Sequence, residues 1–119
     1  MDRLKPTTQL LGRFQPWHQG HTKLFERALS KTGQVAILLR DTEVDESNPY
    51  TVEERKANII LELAKEGYEH HKDFVIIAVP NITHITYGRD VGYTIEQEDL
   101  GEEVESISAT KIRQLELGL

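Results

Sequence analysis

Two runs of consecutive apolar residues, Val35 to Leu39 and Phe74 to Val79, constrain the fold of this 119-residue chain more than any other feature. Both are of strand length and far short of the roughly 18 to 20 residues that a membrane span needs. The first sits in a segment from Gln34 to Arg40 between Gly33 and Asp41, and the second in a segment from Asp73 that is stopped by Pro80. Such runs are expected of strands buried on both faces of a parallel sheet. Parallel neighbours need a crossover between them, and helical spacing supplies it. Leu24, Phe25, Ala28 and Leu29 follow a short β-prone stretch from Thr7 to Gly12, while Val52, Ile59, Ile60, Leu63 and Ala64 share one face as far as Gly67. Thr51 and Glu54, just after Pro49, spell a capping box at the start of the second helix. The order β-α-β-α-β with right-handed crossovers predicts a doubly wound α/β sheet in a single minimal domain over 1–119. Beyond Pro80 the pattern weakens. Ile82 to Tyr87 allows a fourth strand, Glu96 to Glu105 reads as loop or edge, and Ser108 can cap a short helix through Leu117 with Gly118 as its stop.

Charge and composition narrow the chemistry. The chain has no cysteine, which excludes a disulfide framework, a thiol nucleophile and a thiolate zinc site, and fits a cytoplasmic protein. Met1 to Leu11 has no apolar core of the kind an export signal carries. The net charge of −6 argues against a nucleic-acid partner. Its distribution is uneven: residues 1–40 hold seven Lys or Arg against two acids, and residues 41–107 hold five against seventeen. A basic segment in an acidic chain is consistent with a local anion site.

The most informative stretch is the decapeptide Gly12-Arg13-Phe14-Gln15-Pro16-Trp17-His18-Gln19-Gly20-His21, between the first strand and the first helix. Ligands in such sheets bind at the carboxyl ends of the strands, where this loop should lie. The two histidines are three apart and can point the same way, and Gly20 removes a side chain where a ligand approaches the backbone. His21 and Lys23 stand early in the helix and no acid precedes Glu26, the reverse of what the helix dipole favours. An anion at the N-terminus would relieve that conflict. The plainer alternative makes the histidines ordinary helix-start residues and Trp17 a core aromatic. A zinc site lacks an evident third ligand. In the last segment Thr110 and Arg113 share a face, while Ile112 and Leu115 share another that suits packing.

Taken whole, the decapeptide resembles the signature of the HxGH nucleotidyltransferase superfamily (cytidylyltransferase-like), and its spelling is most similar to that of archaeal-type nicotinamide-nucleotide adenylyltransferases. Asn48-Pro49-Tyr50-Thr51 with Glu54-Arg55, and Ile107-Ser108-Ala109-Thr110-Lys111-Ile112-Arg113, fit the same family in the same order. The resemblance implies a Rossmann-like fold and a reaction that moves a nucleotidyl group from a nucleoside triphosphate to a small phosphorylated acceptor. It implies catalytic roles for His18, His21 and Arg113, and nucleotide contacts from Gly12, Arg13, Phe14, Gln15 and Gly20. Ser108 and Thr110 would hold phosphates, and Mg²⁺ would be carried mainly by the substrate's own phosphates, with no protein metal site. ATP is favoured by the spelling and CTP is possible.

The spacing departs from the family in one place. Only 27 residues, Asn81 to Ile107, separate Pro80 from Ser108, too few for the additional βαβ unit that the nicotinamide-nucleotide enzymes carry. Tyr87-Gly88-Arg89-Asp90 would partly replace it, with Arg89 facing a phosphate. A domain this small is expected to complete itself as a homodimer or higher homo-oligomer. The competing reading is a noncatalytic nucleotide-binding regulatory module that kept the motifs and lost the acceptor pocket.

Overall fold

The computed structural model describes residues 1–89 and 92–98. The elements follow in the order β1 (Thr8–Gly12), α1 (Gln19–Thr32), β2 (Val35–Arg40), α2 (Val52–Lys65) and β3 (Phe74–Val79). The three strands form one parallel sheet in the order β1-β2-β3, with Leu10 beside Ile37 and Ile37 beside Ile76. This is an α/β, Rossmann-like arrangement in which each helix is the crossover between neighbouring strands.

Because both crossovers advance in the same direction, right-handedness puts both helices on one side of the sheet. The burial agrees. Leu10, Val35, Ile37, Leu39 and Phe74 are buried together with Phe25 and Ala28 of α1 and Ile59 and Leu63 of α2. The opposite sheet face is different: Ala36, Leu38 and Val75 are half-buried, and Ile77 is 41% exposed. The expectation of strands buried on both faces is therefore corrected. Among the described residues the helices cover only one face, so the apolar run of β2 is buried on alternate residues, whereas in β3 only Phe74 is fully buried.

Local chemistry sets the helix boundaries. At the head of α2, Thr51 Oγ1 accepts from the Glu54 N–H (3.1 Å) and Glu54 Oε1 accepts from the Thr51 N–H (3.2 Å), the capping box read from the sequence. Helix α1 ends at Gly33, whose φ of 83° lies in the left-handed region and whose N–H donates to the Leu29 carbonyl at 2.7 Å. In α2 the buried set includes Arg55, whereas Ala64 is exposed.

The fourth strand that the sequence allows over Ile82 to Tyr87 does not form. The described residues after β3 carry no helix or strand, and Ile85, Tyr87, Tyr93 and Ile95 are exposed. Pro80 offers no N–H to extend the ladder, and the side chains of Thr83 and His84 bond each other. The segment returns to α1 through ion pairs, Glu96 and Glu98 with Lys31 and Glu98 with Arg27. The helix expected from Ser108 to Leu117, with Thr110 and Arg113, lies outside the described residues, as does Asp90. No helix among the described residues is long and apolar enough to cross a membrane.

Candidate active site

The strand register places the end of β1 beside the end of β2, Gly12 opposite Leu39, so the loops that follow both strands leave from the same edge. The loop after β1 is built inward. Phe14, Gln15 and Trp17 are buried, and Phe14 has a φ of 52°. The Phe14 ring folds back over Gly12, where a Cβ would stand 2.8 Å from its Cζ. It packs on Trp17, with centroids 4.9 Å apart, and edge-on against His21, also at 4.9 Å. Trp17 in turn lies 5.3 Å from His21 and donates its Nε1–H to Thr22 Oγ1 at 2.8 Å. Glycine at position 12 thus leaves room for the aromatic floor beneath the histidines. Gly12→Ala is expected to displace that ring and destabilise the protein by about 1 to 3 kcal/mol, the range of overpacking substitutions. Chemical denaturation checks it, and unchanged stability would show that the Phe14 ring is free to move.

His18 is the N-cap of α1 and His21 its third helical residue, and they cap each other's turn reciprocally. His18 Nδ1 accepts from the Gly20 N–H at 3.0 Å, and His21 Nδ1 accepts from the His18 N–H at 3.1 Å. The rings stack with centroids 3.8 Å apart and planes 22° from parallel. An imidazole whose Nδ1 accepts a backbone proton carries its own proton on Nε2. Both rings are therefore fixed as Nε2–H donors. Burial pushes His18 below the ordinary imidazole pKa. Burial and the neighbouring His18 charge take His21 down to about 3. The pair is neutral at pH 7, and the first turn of α1 has no acid. Two fixed donors at a helix N-terminus match an anionic oxygen. They have the wrong polarity for a metal ion, which would need a lone pair on Nε2.

The other candidates distribute as follows. Gly20 is buried and supplies the N–H that orients His18. Arg13 reaches across to Asn48 Oδ1 at 3.2 Å, joining the loops after β1 and β2. The Gln15 side chain is fully buried, accepting from the Tyr50 N–H at 3.0 Å and donating to the Tyr50 carbonyl at 3.1 Å. It braces the loop from below. Arg89 is exposed in the segment after β3, and no hydrogen bond or ion pair among the described residues brings it to the histidines. Ser108, Thr110 and Arg113 lie outside the described residues. Among the described residues, no group of three or more His, Cys, Asp or Glu could hold a metal.

Sequence reasoning assigns no role to two contributors on α2, naming Arg55 only within a family-like segment and Asn58 not at all. Arg55 is 1% exposed, and its Nη1 donates to the carbonyls of Arg13 and Arg40, both at 2.8 Å. Burial lowers its pKa and the Asp41 carboxylate opposes that shift. Asn58 Oδ1 accepts from the Trp17 N–H at 3.1 Å. The signal was a charged and a polar residue, three apart, on the face that also carries Ile59 and Leu63.

Residues 10–115 match the model of the cytidylyltransferase-like family. The nicotinamide-nucleotide adenylyltransferase of Thermococcus sibiricus is 35% identical over 74 residues, covering 60% of this chain and 39% of that protein. The enzyme of the same name from Pyrococcus furiosus is 32% identical over 74 residues, with the same two shares. That of Thermoplasma acidophilum is 37% identical over 59 residues, 48% of this chain and 33% of that protein. The matched stretch thus spans about two-fifths or less of the length of these relatives.

Proposed function

The chain belongs to the cytidylyltransferase-like family, and from that premise we propose that it transfers a nucleotidyl group from a magnesium-bound nucleoside triphosphate to a small phosphorylated acceptor. One observation carries the reading: a reciprocally capped pair of neutral histidines presents two Nε2–H donors at the start of α1. In the reaction an acceptor oxyanion forms a bond to the α-phosphorus. The bond from that phosphorus to the bridging oxygen breaks, and its electron pair leaves with pyrophosphate. The attacking oxygen is already ionised, so no general base is required. The protein then has to align the reactants and stabilise charge on the α-phosphate and the leaving group. His18 and His21 are suited to this because their donor atoms are fixed by backbone hydrogen bonds before the substrate arrives.

ATP is the favoured donor, supported by the 35% and 32% identical relatives whose names specify adenylyl transfer; CTP is the alternative that the family's name allows. A second copy of the chain is the proposed protein partner, a reading supported by the exposed Ile77, Ile85, Tyr87, Tyr93 and Ile95. The direct test is pyrophosphate release across the four nucleoside triphosphates with a panel of phosphorylated acceptors. Triphosphate binding without release on any pair would favour a noncatalytic nucleotide-binding module.

Arg113, from the motif near the end of the chain, is proposed to grip the β and γ phosphates with its two-pronged guanidinium. Lysine cannot reproduce bidentate geometry, so Arg113→Lys should weaken triphosphate binding despite conserving charge, and Arg113→Ala should weaken it more. Binding of the nucleoside monophosphate should change much less. Calorimetry at fixed Mg²⁺ measures both affinities, and equal losses for the two ligands would reassign Arg113 away from the leaving group.

A further inference from the structure

The histidine pair owes its geometry to its own turn and also to a helix that carries none of the residues read as catalytic. The loop from Arg13 to Trp17 is bracketed by two backbone groups, the Arg13 carbonyl and the Trp17 N–H, and both bind side chains of α2. Arg55 Nη1 donates to the Arg13 carbonyl at 2.8 Å, and Asn58 Oδ1 accepts from the Trp17 N–H at 3.1 Å. The two residues are three apart and share a helix face. The same guanidinium also holds the Arg40 carbonyl at 2.8 Å and, through Nε, the Thr51 carbonyl at 3.3 Å. Arg55 therefore joins the end of β1, the end of β2 and the head of α2 at one buried point. Asn58 acts closer to the chemistry: Trp17 directly precedes His18, whose own N–H is the donor to His21 Nδ1. A loop free to rotate at Trp17 would carry that donor away from His21 and release both rings from their single tautomer.

We infer that α2 is the positioning element of the histidine pair, with Asn58 and Arg55 as positioning residues that hold the two ends of the loop so that both Nε2–H groups face the triphosphate. The inference deepens the proposed nucleotidyl transfer, but its geometric part can be read without turnover. A buried charge and an amide on an otherwise apolar helix face are costly unless hydrogen-bonded. Each here satisfies a backbone group of one particular loop, which explains their presence on that face.

The experiment uses Asn58, because loss of the buried Arg55 charge could unfold the domain. Asn58→Leu keeps the volume and removes the acceptor, whereas Asn58→Asp restores an acceptor oxygen. Long-range ¹H–¹⁵N spectra of the imidazoles are expected to show a single Nε2–H tautomer for His18 and His21 in the native protein and in Asn58→Asp. Asn58→Leu is expected to show a tautomer mixture at both rings while the amide signals of β1 to β3 stay in place. Turnover in Asn58→Leu should fall by roughly ten- to a hundredfold, mainly in kcat, the scale of a misplacement near 1 Å. If Leu at this position disrupts packing, Asn58→Ala makes the same comparison without added bulk. Unchanged tautomers in the acceptor-less variant, or no restoration in Asn58→Asp, would overturn the positioning role whatever the turnover. A native protein with locked tautomers but no pyrophosphate release on any substrate pair would overturn nucleotidyl transfer and leave the positioning role standing.

Discussion

Replacing His18 by Asn is expected to leave the protein folded with close to its native stability and to cut turnover by about a hundredfold or more. The substitution separates the cap that the structure shows from the donor role proposed for the same side chain. His18 caps α1 through Nδ1, accepting from the Gly20 N–H, which leaves Nε2 as its donor atom. Asn is among the strongest N-cap residues and can accept the same N–H, but it is too short to reproduce the distal donor. His18→Ala loses both functions and should add about 1 kcal/mol of instability to the same loss of turnover. Thermal denaturation and pyrophosphate release on one preparation of each variant give the two readings. Near-native turnover in His18→Asn, with chemistry rate-limiting, would remove His18 from the catalytic role and leave it as a cap.

This duality shows what the sequence could and could not disclose. The spacing of His18, Gly20 and His21 and the missing acid in the first turn point to an anion site at the head of α1, because a helix dipole acts through residues counted from its start. Thr51 and Glu54 were legible for the same reason: a capping box is a local device. The His–His box was not foreseen, since histidine is not among the usual cap residues, and only coordinates show Nδ1 turned back on the chain. Arg55 and Asn58 were further from reach. Their partners are the Arg13 carbonyl and the Trp17 N–H, 42 and 41 residues away, and a backbone group has no signature in sequence. The resemblance implies a nucleotide contact at Gly12, and the structure adds that its missing Cβ makes room for Phe14.

The misjudged burial has an equally physical cause. A run such as Val35 to Leu39 states that each residue tolerates an apolar setting and leaves open what covers each face. Among the described residues, two same-handed crossovers from one edge of the sheet to the other put both helices on one side. Consecutive apolar residues then alternate between full and partial burial, as Ile37 and Leu38 do. Ile82 to Tyr87 forms no strand for a related reason: β propensity reports fit to a half-buried pleated surface, and the described residues after Pro80 do not pair with β3.

Between the ordinary imidazole pKa of about 6.5 and about pH 3 the ligand-free protein is expected to lose stability as the solution is acidified, with His21 as a principal cause. The folded-state pKa is depressed, so in this window the unfolded chain binds a proton at position 21 that the folded chain refuses. Stability then rises with pH across the window, is fully present above about 6.5, and is lost progressively as the pH falls. The slope from one such group reaches at most about 1.4 kcal/mol per pH unit, or roughly 3 to 6 °C in Tm per pH unit for a domain of this size. His21→Gln isolates the contribution: Gln at the third helical position can still accept from the residue 18 N–H, as in a standard capping box, yet cannot titrate. Its Tm should fall less steeply than that of the native protein between pH 6.5 and 4. Triphosphate should act in the same direction, because its negative charge beside the rings favours imidazolium even though the added proton falls on Nδ1 and gives up the backbone hydrogen bond. A saturating, non-transferable triphosphate analogue is therefore expected to flatten the native profile more than that of His21→Gln, in which only His18 of the pair remains to respond, and to draw protons from solution on binding near pH 5.5. Calorimetry in two buffers of different ionisation enthalpy measures that uptake. Parallel acid profiles for the native protein and His21→Gln, with no proton uptake on binding, would show that carboxylates carry the acid sensitivity and that the triphosphate does not meet the ring of His21.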